Sequence, residues 1–378
     1  MLTAGDISRP TYAEINLTRL SLNFRALQRV AGSARVMAVV KANAYGHGLV
    51  RVAQHLQGLR ADYFGVALVE EGLLLRQSGI RTPILVLGGL LPEQIPPALA
   101  RGLTLTASSL KKLDQIDRAA EALGVKARVH LELDTGMERT GVHWYDAEGF
   151  LERSLECRGC EVEGIYSHFA NSDSTDLASA RTQYERFMKA LQFYERRTLP
   201  PPLRHLANSG GLLQLPESRL DLVRVGILLY GVYPSRECPR TVPVEPVLSL
   251  KSQVAYLKVV EAGSPISYGH TWQSDHGVRV ATVPIGYGDG YSRGLSNRGQ
   301  VLIRGRRYPI VGRVCMDQVM ANLESDEADD GDPVTLLGAD GEESITADDL
   351  ADWLGTIPYE VLSSINTRVP RVYVTRDT

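Results

Sequence analysis

The sequence contains few cysteines. Four occur in 378 residues, at positions 157, 160, 238 and 315, and so small a number does not suggest a disulfide framework. Cys157 and Cys160 form one Cys-x-x-Cys pair. A structural zinc site needs a second pair of Cys or His ligands, and the remaining candidates are scattered along the chain. We therefore predict no metal site.

Long apolar runs and an excess of basic residues are absent as well. No apolar run is long enough to cross a bilayer, and the N-terminus has no basic segment followed by an apolar core. The formal net charge is −3, whereas proteins that bind nucleic acids or acidic membranes usually have a basic excess. We therefore expect a cytoplasmic protein that binds neither nucleic acid nor membrane.

What the sequence does have is a regular alternation of apolar runs and amphipathic segments. The runs are typical of β-strands and lie at residues 36–40, 63–68, 84–87, 103–106, 127–133, 162–167, 203–206 and 222–229. Helical segments lie between most of them, at residues 48–59, 70–77, 109–123 and 178–198. This alternation favours an α/β fold with a parallel sheet. Eight units fit a (β/α)₈ TIM-type barrel, and an open doubly wound sheet is the alternative.

After residue 242 the pattern changes to short strands and turns. Pro243 and Pro246 mark a linker, and strands are predicted at residues 249–260, 278–284, 300–303, 308–314, 334–337 and 371–374. One helix is predicted at residues 347–354, with Thr346 as its N-cap and Asp349 three residues further on. We predict a barrel domain at residues 10–242 and a mostly β domain at residues 243–378, with residues 1–9 as a candidate addition to the second domain.

Polar residues follow the predicted barrel strands where these end. Lys41 follows the first strand, and a lysine that enters a core loses hydration, which lowers its pKa and makes its amine a nucleophile or a base. The other polar residues are Asp134, Arg139, His168, Asn208 and Ser209, with Arg224 inside the eighth strand. In a barrel the carboxyl ends of the strands converge on one mouth, where active sites are built. We therefore expect these residues to form one site.

The segment at residues 39–48, Val-Val-Lys-Ala-Asn-Ala-Tyr-Gly-His-Gly, resembles the cofactor-lysine segment of the alanine racemases. Those enzymes hold pyridoxal 5′-phosphate as an imine on that lysine. By this resemblance Lys41 binds the cofactor and Tyr45 lies beside its phosphate. Similar segments recur along nearly the whole chain, at residues 131–139, 266–271, 286–291, 312–318, 356–361 and 368–371.

The resemblance also implies a phosphate site. The segment at residues 226–231 is flanked by glycines, and glycine lets backbone N–H groups approach an anion closely. In the alanine racemases the matching segments supply Ser209, Gly226 and Ile227 as phosphate donors, and Tyr359 approaches the phosphate.

Arg224, by the same resemblance, faces the pyridine nitrogen of the cofactor. An arginine stays charged and only donates hydrogen bonds, so it keeps that nitrogen unprotonated. The cofactor is then a weaker electron sink, which suits an enzyme that only exchanges a proton.

Racemisation needs one proton-transferring group on each face of the substrate. The resemblance implies Lys41 for one face and Tyr268 for the other, with His168 linking Tyr268 to Arg224. It also implies that Arg139 and the Met316 backbone bind the substrate carboxylate, since an arginine fits a carboxylate with two parallel hydrogen bonds.

Two positions depart from the family pattern. Glu132 stands where many relatives have a lysine modified to a carbamate. Both groups are anionic, so we infer that Glu132 positions Arg139 without modification. Glu138 stands where a glycine is frequent.

The resemblance further implies a homodimer in which the β domain of one subunit brings Tyr268 and Met316 to the barrel site of the other. Such an enzyme would interconvert L- and D-alanine by two-base proton transfer and supply D-alanine for peptidoglycan.

Three alternatives stay open. A pyridoxal-dependent decarboxylase would place an acid, not Arg224, at the pyridine nitrogen, and a non-catalytic carrier would need no second domain. A racemase of another specificity would differ in pocket shape, near His270 and Trp272.

Overall fold

The computed structural model describes residues 9–375, so most of the predicted addition at residues 1–9 lies outside the described residues. The chain forms two compact units. The barrel unit comprises Ser21–Ala44 and Gly48–Val244, and the C-terminal unit comprises the described residues up to Leu20, Tyr45–His47 and those from Glu245 onward. The predicted boundary at residue 242 stays a prediction. None of the helices within residues 9–375 is both long and apolar enough to span a membrane.

In the first strand, β1 (Tyr12–Asn16), every second side chain is buried. Helix α1 (Leu17–Ala31) follows it directly. The strand pairs antiparallel with Leu248–Gln253 and parallel with Arg371–Val374. Our division placed this strand with the barrel, and its backbone pairing corrects that assignment. Alternation shows that one face is buried but not which strands lie beside it.

Eight parallel strands build the barrel, all eight were predicted, and a ninth, two-residue strand pairs with the end of one of them. The strands are β2 (Arg35–Val39), β3 (Tyr63–Val66), β4 (Ile84–Val86), β5 (Thr104–Ala107), β6 (Ala127–Asp134), the two-residue β7 (Val142–His143) at the end of β6, β8 (Cys160–Tyr166), β9 (Leu203–His205) and β10 (Leu222–Val225). The last prediction was too long, because the backbone leaves the strand at Gly226 and Ile227–Tyr230 forms a 3₁₀ turn.

The strands lie in the order β10-β2-β3-β4-β5-β6-β8-β9. Two backbone hydrogen bonds join the ends of this row, from Asp221 N to Arg204 O at 3.1 Å and from Arg224 N to Ala207 O at 2.9 Å. An open sheet would leave β9 and β10 as edges. The unit is therefore a nearly closed, TIM-like barrel, and the doubly wound alternative is wrong.

Helices lie between the barrel strands, as the amphipathic segments predict. They are α2 (Leu49–Gly58), α3 (Val69–Gln77), α4 (Ile95–Ala100), α5 (Leu110–Leu123), α6 (Ala147–Glu156), α7 (Ala178–Arg196) and α8 (Ser209–Gln214). Helix α5 shows why such a segment can be predicted from the sequence, because both of its ends have capping residues. The Ser109 hydroxyl accepts a hydrogen bond from Lys112 N at 3.1 Å, and Gly124 ends the helix in the left-handed conformation. Helices α4, α6 and α8 were not predicted, and of these α4 and α8 are short and rich in Pro or Gly.

The C-terminal unit is mostly β, as expected. Its further strands are β11 (Leu248–Gln253), β12 (Tyr256–Val260), β13 (Val278–Val283), β14 (Gln300–Ile303), β15 (Arg306–Pro309), β16 (Val319–Glu324), β17 (Pro333–Asp340), β18 (Glu343–Ile345) and β19 (Arg371–Val374). One sheet has the order β15-β14-β17-β11-β1-β19 with β18 beside β17, and a second has the order β12-β13-β16.

Two short helices complete this unit, α9 (Ala347–Leu354) and α10 (Pro358–Ser364). Helix α9 has the predicted bounds. The Thr346 hydroxyl accepts from Asp349 N at 3.0 Å, and the Asp349 carboxylate accepts from Thr346 N at 2.8 Å. This reciprocal pair satisfies two amide groups at the start of the helix.

Two strand predictions in this unit were inaccurate. The segment predicted at residues 249–260 forms two strands in different sheets, β11 and β12. The strand predicted at residues 308–314 ends at Pro309, and Gly312 turns the chain with a φ of 75°. Strand β16 was missed, although its alternate residues Val319, Ala321 and Leu323 are buried.

Glycine at position 290 is required by both conformation and space, which gives a test with a matched control. Gly290 has a φ of 92°, and an added Cβ would overlap the Ser364 carbonyl oxygen. Gly331 has a φ of 91° with no heavy atom near an added Cβ. We expect Gly331→Ala to lower the free energy of unfolding by about 1–2 kcal/mol. Gly290→Ala should cost about 1–3 kcal/mol more, because the backbone must shift.

The measurement is urea unfolding of both variants and the wild type, followed by tryptophan fluorescence. Equal losses in the two variants would show that space at Gly290 is not limiting.

Candidate active site

Lys41 lies just after β2, at the carboxyl end of the barrel as predicted, and begins an unusual turn. Ala42, Asn43, Ala44 and Tyr45 all have left-handed φ values between 51° and 54°. For residues other than glycine this conformation costs about 1–2 kcal/mol each. Strain of this kind persists only where surrounding contacts hold it, and it is common at functional sites.

The Glu71 carboxylate, at the start of α3, holds this turn. Its oxygens accept hydrogen bonds from Ala42 N at 2.7 Å, Ala67 N at 2.8 Å and Leu68 N at 3.1 Å. The Asn43 side chain adds a second contact by accepting from Leu49 N at 2.9 Å. Glu71 was missed in the sequence, where its one signal is an acidic residue in the first helical turn after a strand.

The Lys41 amine lies in an environment that disfavours its charge. Burial is the main cause of its lowered pKa, and the nearby charges of Arg139 and Arg224 lower the pKa further, whereas Glu71 raises it. The amine therefore becomes neutral, and able to act as a nucleophile or base, at a lower pH than a free lysine.

Arg224, on β10, is 4% exposed, and both of its terminal nitrogens donate hydrogen bonds. Nη1 donates to His205 Nδ1 at 3.0 Å and to His205 O at 3.1 Å. Nη2 donates to Ser167 O at 2.7 Å, Leu206 O at 3.1 Å and His168 Nδ1 at 3.1 Å. Among the described residues no acceptor contacts its Nε–H. Burial lowers the pKa of Arg224 to about 10, so the guanidinium is charged near neutral pH.

Burial and this charge together disfavour protonation of the neighbouring His168. Burial, followed by the charges of Arg224, Arg139 and Lys41, holds the pKa of His168 well below its usual value. Since His168 Nδ1 accepts from Arg224, the proton of the neutral ring lies on Nε2. The structure thus brings together Lys41, Arg139, His168 and Arg224, as the sequence predicts.

Glu132, on β6, is buried beside this cluster. Burial raises the pKa of its carboxyl, and a hydrogen bond from Thr140 together with the charges of Arg139 and Arg224 opposes the rise. The bond from the Thr140 hydroxyl is 2.9 Å long. Arg139 itself is exposed, so Glu132 holds the residue next to Arg139 rather than its guanidinium.

The three residues predicted to donate to a phosphate lie together at the ends of β9 and β10. Ser209 begins α8 after Asn208, whose side chain caps the helix by accepting from Gly211 N at 2.9 Å. The Ser209 hydroxyl accepts from Gly226 N at 3.1 Å, and Ile227 begins the next turn. The Gly226 amide is thus engaged by Ser209. The first amides of a helical turn have no partner within the turn, and amides of this kind suit an anion.

Tyr45 and Tyr359, both predicted to lie near the phosphate, contact each other within the C-terminal unit. Their ring centroids are 6.1 Å apart with the planes tilted by 50°. The Gly46 carbonyl accepts from Arg371 Nε at 2.9 Å, which ties this segment to the end of the chain.

Tyr268 and Met316 also belong to the C-terminal unit and lie on adjoining loops. Ser267, in the left-handed region with a φ of 66°, donates from its hydroxyl to Arg313 O at 2.6 Å. Met316 O accepts from Gly288 N at 2.9 Å. Tyr268 is 70% exposed and Met316 is 53% exposed, so both side chains are available to a ligand or a partner.

Comparison with known protein families decides what this arrangement is. Residues 15–234 match the family described as "Alanine racemase, N-terminal domain", and residues 247–373 match "Alanine racemase, C-terminal domain". The chain belongs to the alanine racemase family.

Individual members of the family are similar to this chain along nearly its whole length. The chain is 45% identical over 368 residues to the alanine racemase of Carboxydothermus hydrogenoformans, covering 97% of this chain and 100% of that one. The alanine racemase structure from Clostridium difficile 630 superimposes with a TM-score of 0.93 at 37% identity, covering 98% and 97%. A Bartonella henselae alanine racemase, described with covalently bound pyridoxal phosphate, has a TM-score of 0.88 at 28% identity, covering 97% and 99%.

The alanine racemase fold thus places Lys41 on a strained turn that depends on Glu71, and this dependence can be tested. In Glu71→Ala the carboxylate that raises the Lys41 pKa is gone, so we expect Lys41 to become reactive at a lower pH than in the wild type. The loss of charged hydrogen bonds should also lower the free energy of unfolding by about 2 kcal/mol.

The measurement is the pH dependence of labelling of Lys41 by an amine reagent, read by mass spectrometry on protein from which any group attached to this lysine has been removed. Glu70→Ala is the control, because the neighbouring Glu70 makes only a 3.3 Å surface contact with Gln94. A labelling midpoint that stays in place or moves to higher pH in Glu71→Ala would contradict the assigned role.

Proposed function

We propose that this protein interconverts L-alanine and D-alanine with pyridoxal 5′-phosphate bound at Lys41. The main support is the half-buried Lys41, whose pKa is lowered beside the buried, charged Arg224. The names of the relatives and the covalently bound cofactor of the Bartonella henselae protein support the same assignment. We assign cofactor binding to the barrel domain and the second base to the β domain.

The residues present suit this cofactor. Lys41 offers an amine whose pKa is lowered by burial, which favours covalent attachment, and the Arg224 Nε–H has no acceptor among the described residues, which fits an unprotonated pyridine nitrogen. Ser209, Gly226 and Ile227 would hold the phosphate, together with Tyr45 and Tyr359. When bound, the cofactor withdraws electrons from the substrate Cα and so makes its proton acidic.

Arg224 would determine how acidic a bound cofactor makes that Cα proton. A guanidinium donates hydrogen bonds and does not give up its proton, so it leaves the pyridine nitrogen neutral. This limits the build-up of negative charge on the substrate. A decarboxylase or another enzyme that forms a carbanion would need an acid at the position of Arg224. In this structure five hydrogen-bond acceptors hold the Arg224 guanidinium at that position.

The two bases act on opposite faces of the substrate Cα. The Lys41 amine would remove or return the proton on one face. The Tyr268 hydroxyl does the same on the other face, and His168, neutral with its proton on Nε2, links Tyr268 to the Arg224 cluster. Arg139 and the Met316 backbone would hold the substrate carboxylate, so that the Cα proton stays between the bases.

We also propose a homodimer in which Tyr268 and Met316 of one subunit complete the barrel site of the other. Their high exposure supports this arrangement. Strand β12 is an edge strand with two exposed apolar side chains, Tyr256 at 56% and Val259 at 68%, and such a surface favours a protein partner. A cytoplasmic location and a role in supplying D-alanine for peptidoglycan follow from the family.

The racemase assignment is tested by incubating purified protein with L-alanine, L-serine or L-lysine and measuring the enantiomer ratio against time. We expect L-alanine to racemise fastest. Lys41→Ala should lose activity by at least about a thousandfold and lose the visible absorbance of the attached cofactor, because no other amine takes its place. Lys111→Ala, at an exposed position, is the control. An attached cofactor with no change in any amino acid's chirality would refute the proposal.

The shared site is tested by mixing two inactive variants. Lys41→Ala and Tyr268→Phe each remove one base, but a mixed dimer has one site with both bases intact. We expect the mixture, after subunit exchange, to recover about a quarter of the wild-type activity if subunits pair at random. No recovery, in a mixture shown by mass spectrometry to contain mixed dimers, would place both bases in one subunit.

A further inference from the structure

A continuous row of polar side chains runs through the barrel interior from Arg224 to Glu163. Arg224 Nη1 donates to His205 Nδ1 at 3.0 Å, and His205 Nε2 lies 2.8 Å from His130 Nδ1. His130 Nε2 lies 3.6 Å from Glu163 Oε2. Both histidines are fully buried, and they come from strands far apart in the sequence.

The direction of the hydrogen bonds in this row is fixed by its first member. Arg224 can only donate, so His205 Nδ1 accepts and the His205 proton lies on Nε2. His205 then donates to His130 Nδ1, which places the His130 proton on Nε2, facing Glu163. Burial is the main cause of the lowered pKa of both histidines, so both rings are neutral.

Glu163 supplies the negative end of the row. Burial opposes its charge, but the facing His130 ring and a hydrogen bond from the Tyr63 hydroxyl lower its pKa to about 2. The Tyr63 hydroxyl donates to Oε2 at 2.5 Å, and the Glu163 side chain is 28% exposed. Within the described residues His130 Nε2 has no hydrogen-bond partner, so the Glu163 carboxylate at 3.6 Å is the group that its N–H faces.

The backbone is shaped around this row. An added Cβ at Gly164, the residue paired with His130 across β6 and β8, would lie 2.5 Å from His130 Nδ1. A glycine at this position therefore gives the His130 ring its room. His205 is fixed from the other side, stacked on Tyr166 with ring centroids 4.8 Å apart.

We propose that His205, His130 and Glu163 form a relay that orients the Arg224 guanidinium, with Glu163 as a positioning residue for the reaction. This rests on the proposed function, in which Arg224 Nε–H meets the pyridine nitrogen. The negative charge of Glu163 polarises the two imidazoles in turn and makes His205 Nδ1 a stronger acceptor. Arg224 is thereby held in one orientation by a charge that lies on β8, away from its own strand.

The test uses protein labelled with ¹⁵N in its histidine rings, in three variants beside the wild type. Glu163→Leu removes the charge and the acceptor, whereas Glu163→Gln keeps an oxygen that can accept from His130. Glu161→Leu is the control, because Glu161 is exposed on the same strand. Long-range ¹H–¹⁵N spectra identify which ring nitrogen has the proton, and His130→Gln and His205→Gln assign the signals. kcat and KM for alanine are measured in the same preparations.

In the wild type we expect both rings as neutral Nε2–H forms. In Glu163→Leu the His130 ring should keep the Nε2–H form that Arg224 imposes, but its ring ¹⁵N signals should shift because the facing carboxylate is lost. kcat should fall about tenfold, with KM changed less than about twofold because Arg224 does not contact the substrate. Glu163→Gln should restore most of the wild-type ¹⁵N shifts and most of kcat, and Glu161→Leu should resemble the wild type.

Two results would overturn the relay. One is an Nδ1–H form on either ring of the wild type. The other is a Glu163→Leu protein with the wild-type spectrum or the wild-type kcat, even if it melts at a lower temperature, because a merely structural residue would change stability alone. If the wild type does not racemise alanine, the proposed function fails by itself, and the histidine spectra still decide whether the relay exists.

Discussion

The structure of the barrel site depends on one permanent charge, the guanidinium of Arg224, which is enclosed inside the barrel. A buried charge is tolerated only when hydrogen bonds compensate its lost hydration. Three backbone carbonyls and two histidine nitrogens do so here. The charge then determines its surroundings: it contributes to the lowered pKa of Lys41, His168 and His205, and it helps to offset the effect of burial on Glu132. Burial and this charge together thus disfavour the protonated forms of Lys41, His168 and His205.

A second constraint is the backbone strain at Lys41. Four consecutive residues in the left-handed region would not persist in an isolated loop, and the Glu71 carboxylate supplies the contact that retains them. This turn also contains the point at which the chain passes from one unit to the other. Lys41 belongs to the barrel unit, whereas Tyr45 belongs to the C-terminal unit, where it contacts Tyr359.

Much of the fold could be predicted because it depends on local patterns. Strand and helix periodicity located the eight barrel strands, and a Thr and Asp at the spacing of a capping box located α9. The placement of β1 could not be predicted, since its pairing with β11 and β19 joins opposite ends of the chain. Lys41 and Arg224 were selected from their positions in the predicted barrel strands, and the roles proposed for them came from resemblance. Glu71 and the row from His205 to Glu163 were missed, because such contacts exist only once the barrel has brought distant strands into register.

The central claim is that two different groups, Lys41 and Tyr268, transfer protons on opposite faces of alanine. The most direct measurement is exchange of the Cα proton for deuterium, followed by NMR, with L-alanine and D-alanine supplied separately in D₂O to the wild type and to Tyr268→Phe. With one base left, the account predicts that Tyr268→Phe exchanges the α-proton of one enantiomer, without inversion, and leaves the other enantiomer unexchanged. Continued interconversion at the wild-type rate, or equal loss of exchange from both enantiomers, would contradict it.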